Sequence, residues 1–357
     1  MPVSLRETLI GYGATDQGRG LSWRGLERYE PRTDLTPALA AWRARATPHT
    51  GLRLLADARA WPDEWAPRDP ITLPPYLDYP SNWNGIGDWN ETQGVATDGT
   101  YWYFTSVHQN FQMGLPPKKV NVGASVLRRP LGALDVPCDL SINVPAELER
   151  SHVHFGDHDW CAGFLYVPLE GDDGGGFPHK LVIYDTRDGL KLSRWLTMPA
   201  DQSNFAWCAV RSAGGSVYLY TSSTYYDVDR LRVYLLEPDA QTPTLLGDLS
   251  LLNPDGSRLV VHNIQGGVIS SRGHIYLVDD KDSVIHGFDL VGGRRRALFR
   301  LYRDSSAHEF EGLTLLNHSF GPGQRHQLHV VMLDNNVGTD DVYFKHYGVR
   351  EADIGKI

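Results

Sequence analysis

Short apolar runs recur along this chain in a fixed setting: a polar cluster, a first apolar strand, a Gly-marked or polar turn, and a second strand centred on a ring side chain. The five copies read ETQGVATDGTYWYFTS from Glu91, HFGDHDWCAGFLYVPLE from His154, NFAWCAVRSAGGSVYLYTS from Asn204, NIQGGVISSRGHIYLVDD from Asn263 and EFEGLTLLNHSFGPGQRHQLHVVML from Glu309. The centres of the second strands, Tyr103, Tyr166, Tyr218, Tyr276 and His329, are 63, 52, 58 and 53 residues apart, room for one four-stranded sheet per period. Units of this size cannot bury their apolar faces alone and must stack on their neighbours.

Third strands follow at SVLRR from Ser125, KLVIYD from Lys180, LRVYLL from Leu231, VIHGFDL from Val284 and VYFKHYG from Val342. Fourth strands follow in four copies, at Cys138, Leu192, Pro243 and Arg295, whereas the last copy has no room for one before Ile357. The pattern predicts an all-β, five-bladed β-propeller over residues 91–357. Its incomplete last blade would be closed by a strand from before Glu91, with Gly51–Asp57 and Pro70–Leu77 as candidates. A β-sandwich or a pair of small β domains is the alternative, and the even spacing argues against it.

Residues 1–90 read differently, as a wrap over the propeller rather than a second domain. They hold one helical stretch, LTPALAAWRARA from Leu35, with Thr33 or Asp34 as N-cap and Leu35, Leu39 and Trp42 on one face. The Pro-rich run after it suits extended chain.

Composition narrows the function. Of 357 residues 41% are hydrophobic, and the 36 Gly and 22 Pro suit a fold made of turns. A net charge of −9 argues against a nucleic-acid partner, and the basic run Arg294–Arg296 follows a Gly-Gly turn as a solvated edge. No stretch has the length and apolarity of a membrane span, and the N-terminus does not read as a signal peptide. Cys138, Cys161 and Cys208 form no CxxC, which favours a cytoplasmic protein with reduced thiols, a secreted mature form being the alternative. Cys161 and Cys208, in DWCAG and AWCAV, read as small core residues, and GDDGGG from Gly171 as a loop.

In a propeller, the residues that open the inner strands converge on the axis. Here they include Glu91 and Gln93; His152, His154, Asp157 and His158; Asn204; His262, Asn263 and Gln265; and His308, Glu309 and Glu311. Structural polar groups that hold channel water are the bland reading of such a set. HVHFGDHD and HEFEG are richer than that role requires. Imidazole and carboxylate converging on one point make either a divalent-cation site, calcium or a transition metal, or an acid/base pair. Glu309 and Glu311, two residues apart, would raise one another's pKa. Catalytic candidates are therefore Asp157, His154, Glu309, Glu311 and His262. Trp89, Trp160 and Trp207, with Gln93, Asn204 and Gln265, are candidates for holding a substrate, since aromatic walls stack on sugars or steady carbocations. Phe155 and Phe310 should point the other way by strand alternation, into blade packing.

No Walker loop, GxSxG, HExxH or dinucleotide fingerprint is present in its required context. GVATDGTYWYFTS and GGVISSRGHIYLVDD resemble the NHL and gluconolactonase-type propeller repeat, and EFEGL resembles the acidic inner-strand motif of esterase-like phytases. The resemblance covers about fifteen residues per copy and implies a divalent cation on the axis, held by position at Glu309, Glu311, Asp157 and Asn263. This chain has five copies where those families have six, and adds His152, His154 and His262 where they use oxygen ligands.

The leading expectation is an enzyme that hydrolyses or eliminates on a glycoside or ester small molecule. A lectin-like or protein-interaction propeller is the alternative, and acid-initiated cyclisation of an isoprenoid a further one. A lectin would repeat the same binding residues in several blades, whereas the residues here differ from copy to copy.

Overall fold

The computed structural model describes residues 90–112, 118–130, 140–171, 176–213, 215–224, 226–270, 274–290, 292–301, 308–319, 324–334 and 341–350, with short strands at 14–16, 21–23, 71–72 and 75–79. The helical stretch from Leu35, the segment Gly51–Asp57, Trp89 and Cys138 lie outside the described residues.

Among these residues the chain is all-β apart from a single 3-10 turn, Thr186–Asp188. β1 (Ala14–Asp16) and β2 (Leu21–Trp23) pair with each other, and β3 (Ile71–Thr72) and β4 (Pro75–Tyr79) precede the repeats. β5 (Asn90–Thr97), β6 (Tyr101–Gln112), β7 (Lys118–Pro130) and β8 (Leu140–Asn143) form the first sheet. The second contains β9 (His152–Phe155), β10 (Asp159–Cys161), β11 (Phe164–Gly171), β12 (Lys180–Asp185) and β13 (Lys191–Thr197). β14 (Ala209–Ala213), β15 (Ser216–Thr221), β16 (Arg230–Leu236) and β17 (Thr244–Ser250) make the third. β18 (Ile264–Ile269), β19 (His274–Asp279), β20 (Val284–Asp289) and β21 (Arg295–Arg300) make the fourth, with β3 on its outer edge. The last has β22 (His308–Ser319), β23 (Gln324–Asp334) and β24 (Asp341–Arg350), and β4 pairs antiparallel with β24.

Every predicted first, second and third strand is therefore found, as are the fourth strands at Leu192, Pro243 and Arg295. Local chemistry explains the turns. Asp98 accepts hydrogen bonds from the amides of Thr100 and Tyr101 and from the Tyr103 hydroxyl, and Gly99 takes the left-handed conformation that closes the β5–β6 hairpin. Ala162 and Gly163, both with positive φ, close β10–β11 as a two-residue turn.

The sheets bury both faces against their neighbours. Strands β19 (HIYLVD) and β20 (VIHGFD) are buried along their whole length. One apolar cluster around Phe155, Leu165 and Tyr103 joins the first and second sheets, and one around Phe205, Leu219 and Tyr166 the second and third. Others around Trp207, Ile264 and Ile275, and around Tyr276, Phe310 and Val330, continue to the fourth and the last. Trp102 of the first sheet meets Phe344 edge-on at 4.9 Å and the His329 ring at 5.0 Å, so the last sheet also packs on the first. The inner strands touch in the order β5, β10, β14, β18, β22 and back to β5. This is a β-propeller arrangement, and the openings of its inner strands meet at one axial mouth.

Candidate functional site

Three inner strands share one irregularity. Register shifts between Thr92 and Gly94, between Ile264 and Gly266, and between Phe310 and Gly312 leave Gln93, Gln265 and Glu311 as extra, unpaired residues. A bulge re-aims its side chain, and these three stand immediately before glycines that crowd the axis. A Cβ on Gly266 would lie 2.5 Å from Asp157 Oδ2, and one on Gly312 would lie 2.6 Å from Gly94 Cα. Gly156 and Ala206, just before β10 and β14, approach one another as closely, and a Cβ on Gly156 would strike the Ala206 carbonyl. Sheets approach this closely only where side chains are missing.

Asp157 fills the centre. It is fully buried; its Oδ1 accepts from Val95 N at 3.0 Å, and its Oδ2 accepts from Gly267 N at 3.0 Å and Leu313 N at 3.4 Å. Its own backbone donates to Ala206 O and accepts from Cys208 N. One residue thus ties the second inner strand to the other four. Burial pushes its carboxyl well above the usual carboxylate range, opposed by the three amide bonds.

Above this floor the polar side chains pair across sheets. His154 reaches Gln93 Oε1 through Nε2 (3.1 Å) and Glu170 Oε2 through Nδ1 (2.9 Å). Glu170 Oε1 in turn accepts from Asn204 Nδ2 (2.9 Å) and Phe205 N (2.8 Å), so these groups form one chain over the first three sheets. Gln265 Nε2 donates to Glu309 Oε1 at 2.9 Å between the fourth sheet and the last.

Two carboxyls of this mouth are driven in opposite directions. Burial, followed by the charges of Glu309, Glu91, Asp280 and Asp157, pushes Glu311 well above an ordinary glutamate. Burial alone would raise Glu170 too, but the hydrogen bond and charge of His154 and the Phe205 amide outweigh it, and its pKa is lowered. The environment of one favours its protonated form and that of the other its ionised form, the kind of division acid/base chemistry uses.

The other expected residues go elsewhere. His152 is buried against Ser151 Oγ and Pro178 O, and burial pushes His158 down to about 3, so both are neutral packing residues. His262 pairs with Asp227 of the third sheet's β15–β16 loop, and its backbone amide donates to Asp279. Asn263 is held by Asp280, which also accepts from Phe310 N. Trp207 is fully buried with its indole N–H on Ser222 Oγ, and Trp160 packs against the cluster between the first two sheets with its N–H on Thr186 Oγ1. Both indoles are therefore engaged in packing between sheets. Phe155 and Phe310 are fully buried, as strand alternation required, and Cys161 and Cys208 are buried core residues.

The residues present do not fit an axial cation. Asp157 is occupied by amides, Asn263 by Asp280 and Glu309 by Gln265, and among the described residues no three of His, Cys, Asp or Glu could hold a metal ion together. Glu170 was not singled out from the sequence. Its signal is a cross-strand one: it lies opposite His154 in the β9–β11 register.

This is a β-propeller protein with a polar axial mouth. No family model matches the chain, and no curated protein does. Its fold is similar to that of a GH43_1 enzyme from Xanthomonas citri, at 11% identity and a TM-score of 0.51 over 76% of this chain and 90% of that one. The same enzyme complexed with xylose matches at 11% identity and a TM-score of 0.50 over the same shares. Glutaminyl cyclase from Myxococcus xanthus aligns more loosely, at 13% identity and a TM-score of 0.46 over 79% of this chain and 99% of that one. Likeness at these identities concerns the fold alone. Among the described residues no helix is long and apolar enough to cross a membrane.

Proposed function

We propose that this chain is a five-bladed β-propeller enzyme that hydrolyses a glycosidic bond at its axial mouth, with Glu311 as proton donor and Glu170 as base. The observation that carries this reading is the opposite displacement of those two carboxyls within one mouth. The cyclic contacts of the inner strands and the pairing of β4 with β24 support five blades closed by Pro75–Tyr79. In such a ring the boundary of the second and third sheets, where Glu170 binds Asn204, stands across the axis from Glu311.

Each residue then has a task. Glu311 gives its proton to the leaving-group oxygen as the glycosidic bond breaks. Glu170, kept ionised by His154, takes the proton of the water that adds to the sugar carbon. Gln93 fixes the far nitrogen of His154, and Asn204 fixes the second oxygen of Glu170, which leaves one oxygen aimed by the imidazole. Glu309, restrained by Gln265, keeps negative charge beside Glu311 and so keeps that group protonated. Burial of Trp207, Phe155, Phe205 and Phe310 weighs against the aromatic wall that a carbocation cyclase would use.

The test is turnover of nitrophenyl pyranosides and of xylo- and gluco-oligosaccharides by the full chain and by Glu311→Gln and Glu170→Gln. Each variant should lose about 10²–10⁴-fold in kcat while still melting cooperatively. Sugar binding without turnover by the full chain would make this a lectin-like propeller, and turnover undiminished by Glu311→Gln would reject the assignment of the acid.

A further inference from the structure

The mouth has polar walls, yet two large apolar side chains stand exposed at its rim. Among the described residues the exposed large hydrophobics are Phe177 (46%), Tyr226 (59%) and Leu245 (38%). Leu245 lies on the outer strand of the third sheet. Phe177 and Tyr226 instead belong to the connections between second and third strands of adjacent sheets, β11–β12 and β15–β16, which leave from the mouth side.

Hydrogen bonds of neighbouring described residues hold both positions. Around Phe177, His152 Nε2 bonds Pro178 O at 3.0 Å, Gly171 N donates to His179 Nδ1 at 3.2 Å, and the Phe177 carbonyl sits so close to Gly171 that a Cβ there would meet it at 2.2 Å. Gly171 adjoins Glu170. Around Tyr226, Gln202 Nε2 donates to Ser222 O and Ser203 Oγ to Ser223 O at 2.6 Å, while Val228 pairs with Val261 and Asp227 with His262. Ser203 adjoins Asn204. Phe177, its ring 6.2 Å from that of His152, thus belongs to the loop that adjoins Glu170, and Tyr226 to the loop tied to the neighbour of Asn204.

Resting on the glycosidase reading, we infer that Phe177 and Tyr226 form an outer subsite that stacks pyranose rings of an oligosaccharide beyond the bond being cut. An exposed ring set among hydroxyls, carboxylates and imidazole suits the sugar, whose face is apolar C–H and whose edge is hydroxyl. Thr224, Asp227 and His179 offer polar partners next to each ring. A protein-docking patch would need contiguous apolar area, and only three large hydrophobics are exposed among the described residues.

The test compares affinities of the full chain for xylose and xylotetraose, and for glucose and cellotetraose, by calorimetry, with Glu311→Gln as background so that no ligand is cut. In that background the Phe177→Ala and Tyr226→Ala changes should each reduce the four-ring to one-ring affinity ratio about 2- to 10-fold. Leu245→Ala, remote from the mouth, should leave the ratio unaltered, and thermal melts should show all three folded. If four-ring ligands bind and the ratio survives both changes, the subsite is overturned while the glycosidase reading stands. If the full chain neither binds nor cleaves any of these sugars, both fall.

Discussion

Asp157 and Glu311 are both carboxyl side chains withdrawn from water beside one axis, and burial drives both upward in pKa. What differs is their company. Asp157 faces three backbone amides from three other sheets, whereas Glu311 is set among the like charges of Glu309, Glu91 and Asp280. The first arrangement satisfies the fold, and the second disfavours ionisation of the group it surrounds. Burial of an acid therefore does not mark a reactive group; the balance of donors and like charges around it does.

The comparison breaks most sharply if Asp157 is removed. Asp157→Ala would orphan the amides of Val95, Gly267 and Leu313, each at about 1–3 kcal/mol, so cooperative thermal unfolding should fall by many degrees or be lost. An Asp157→Ala protein that melts like the parent would refute its role as the tie. Gly266→Ala should follow, since the new Cβ at 2.5 Å from Asp157 Oδ2 must displace the carboxylate or the strand, at about 1–3 kcal/mol in a denaturant titration.

Glu311→Gln should act in the opposite sense on stability. With its pKa raised by folding, Glu311 contributes stability fully present below the free-glutamate pKa of about 4.3 and lost as pH rises toward its folded value. The variant should therefore equal the parent in acid and exceed it by about 1 kcal/mol or more near neutrality. A variant less stable than the parent at neutral pH would show that the carboxylate is solvated or partnered. His154→Gln should have the smallest effect on folding but move the acid limb of the activity profile upward, because Glu170 loses the partner that keeps it ionised. An unmoved acid limb would remove Glu170 from the base role.

The sequence makes the sheets easy to see and the axis hard to see. Tyr103, Tyr166, Tyr218 and Tyr276 mark second strands because each is buried between neighbouring sheets, so a local pattern carries a tertiary fact. Of the residues singled out at the openings of the inner strands, Gln93 meets His154, Asn204 joins them through Glu170, and Gln265 meets Glu309. The role of Asp157 was not legible, since its donors lie 62, 110 and 156 residues away and nothing in GDHD announces them. Nor were the bulges, each of which inserts a single residue whose direction ordinary alternation would misplace. Trp160 and Trp207 looked like lining because they neighbour polar residues in the chain, but alternate positions on a strand face opposite ways.

Gly94, Gly266 and Gly312 have a meaning beyond sterics, since a Cβ on any of them would come within 2.9 Å of an Asp157 atom. The centre of this fold is therefore written in what three positions lack, and mutation there is tolerated far less than on the outer strands, where a new side chain meets water.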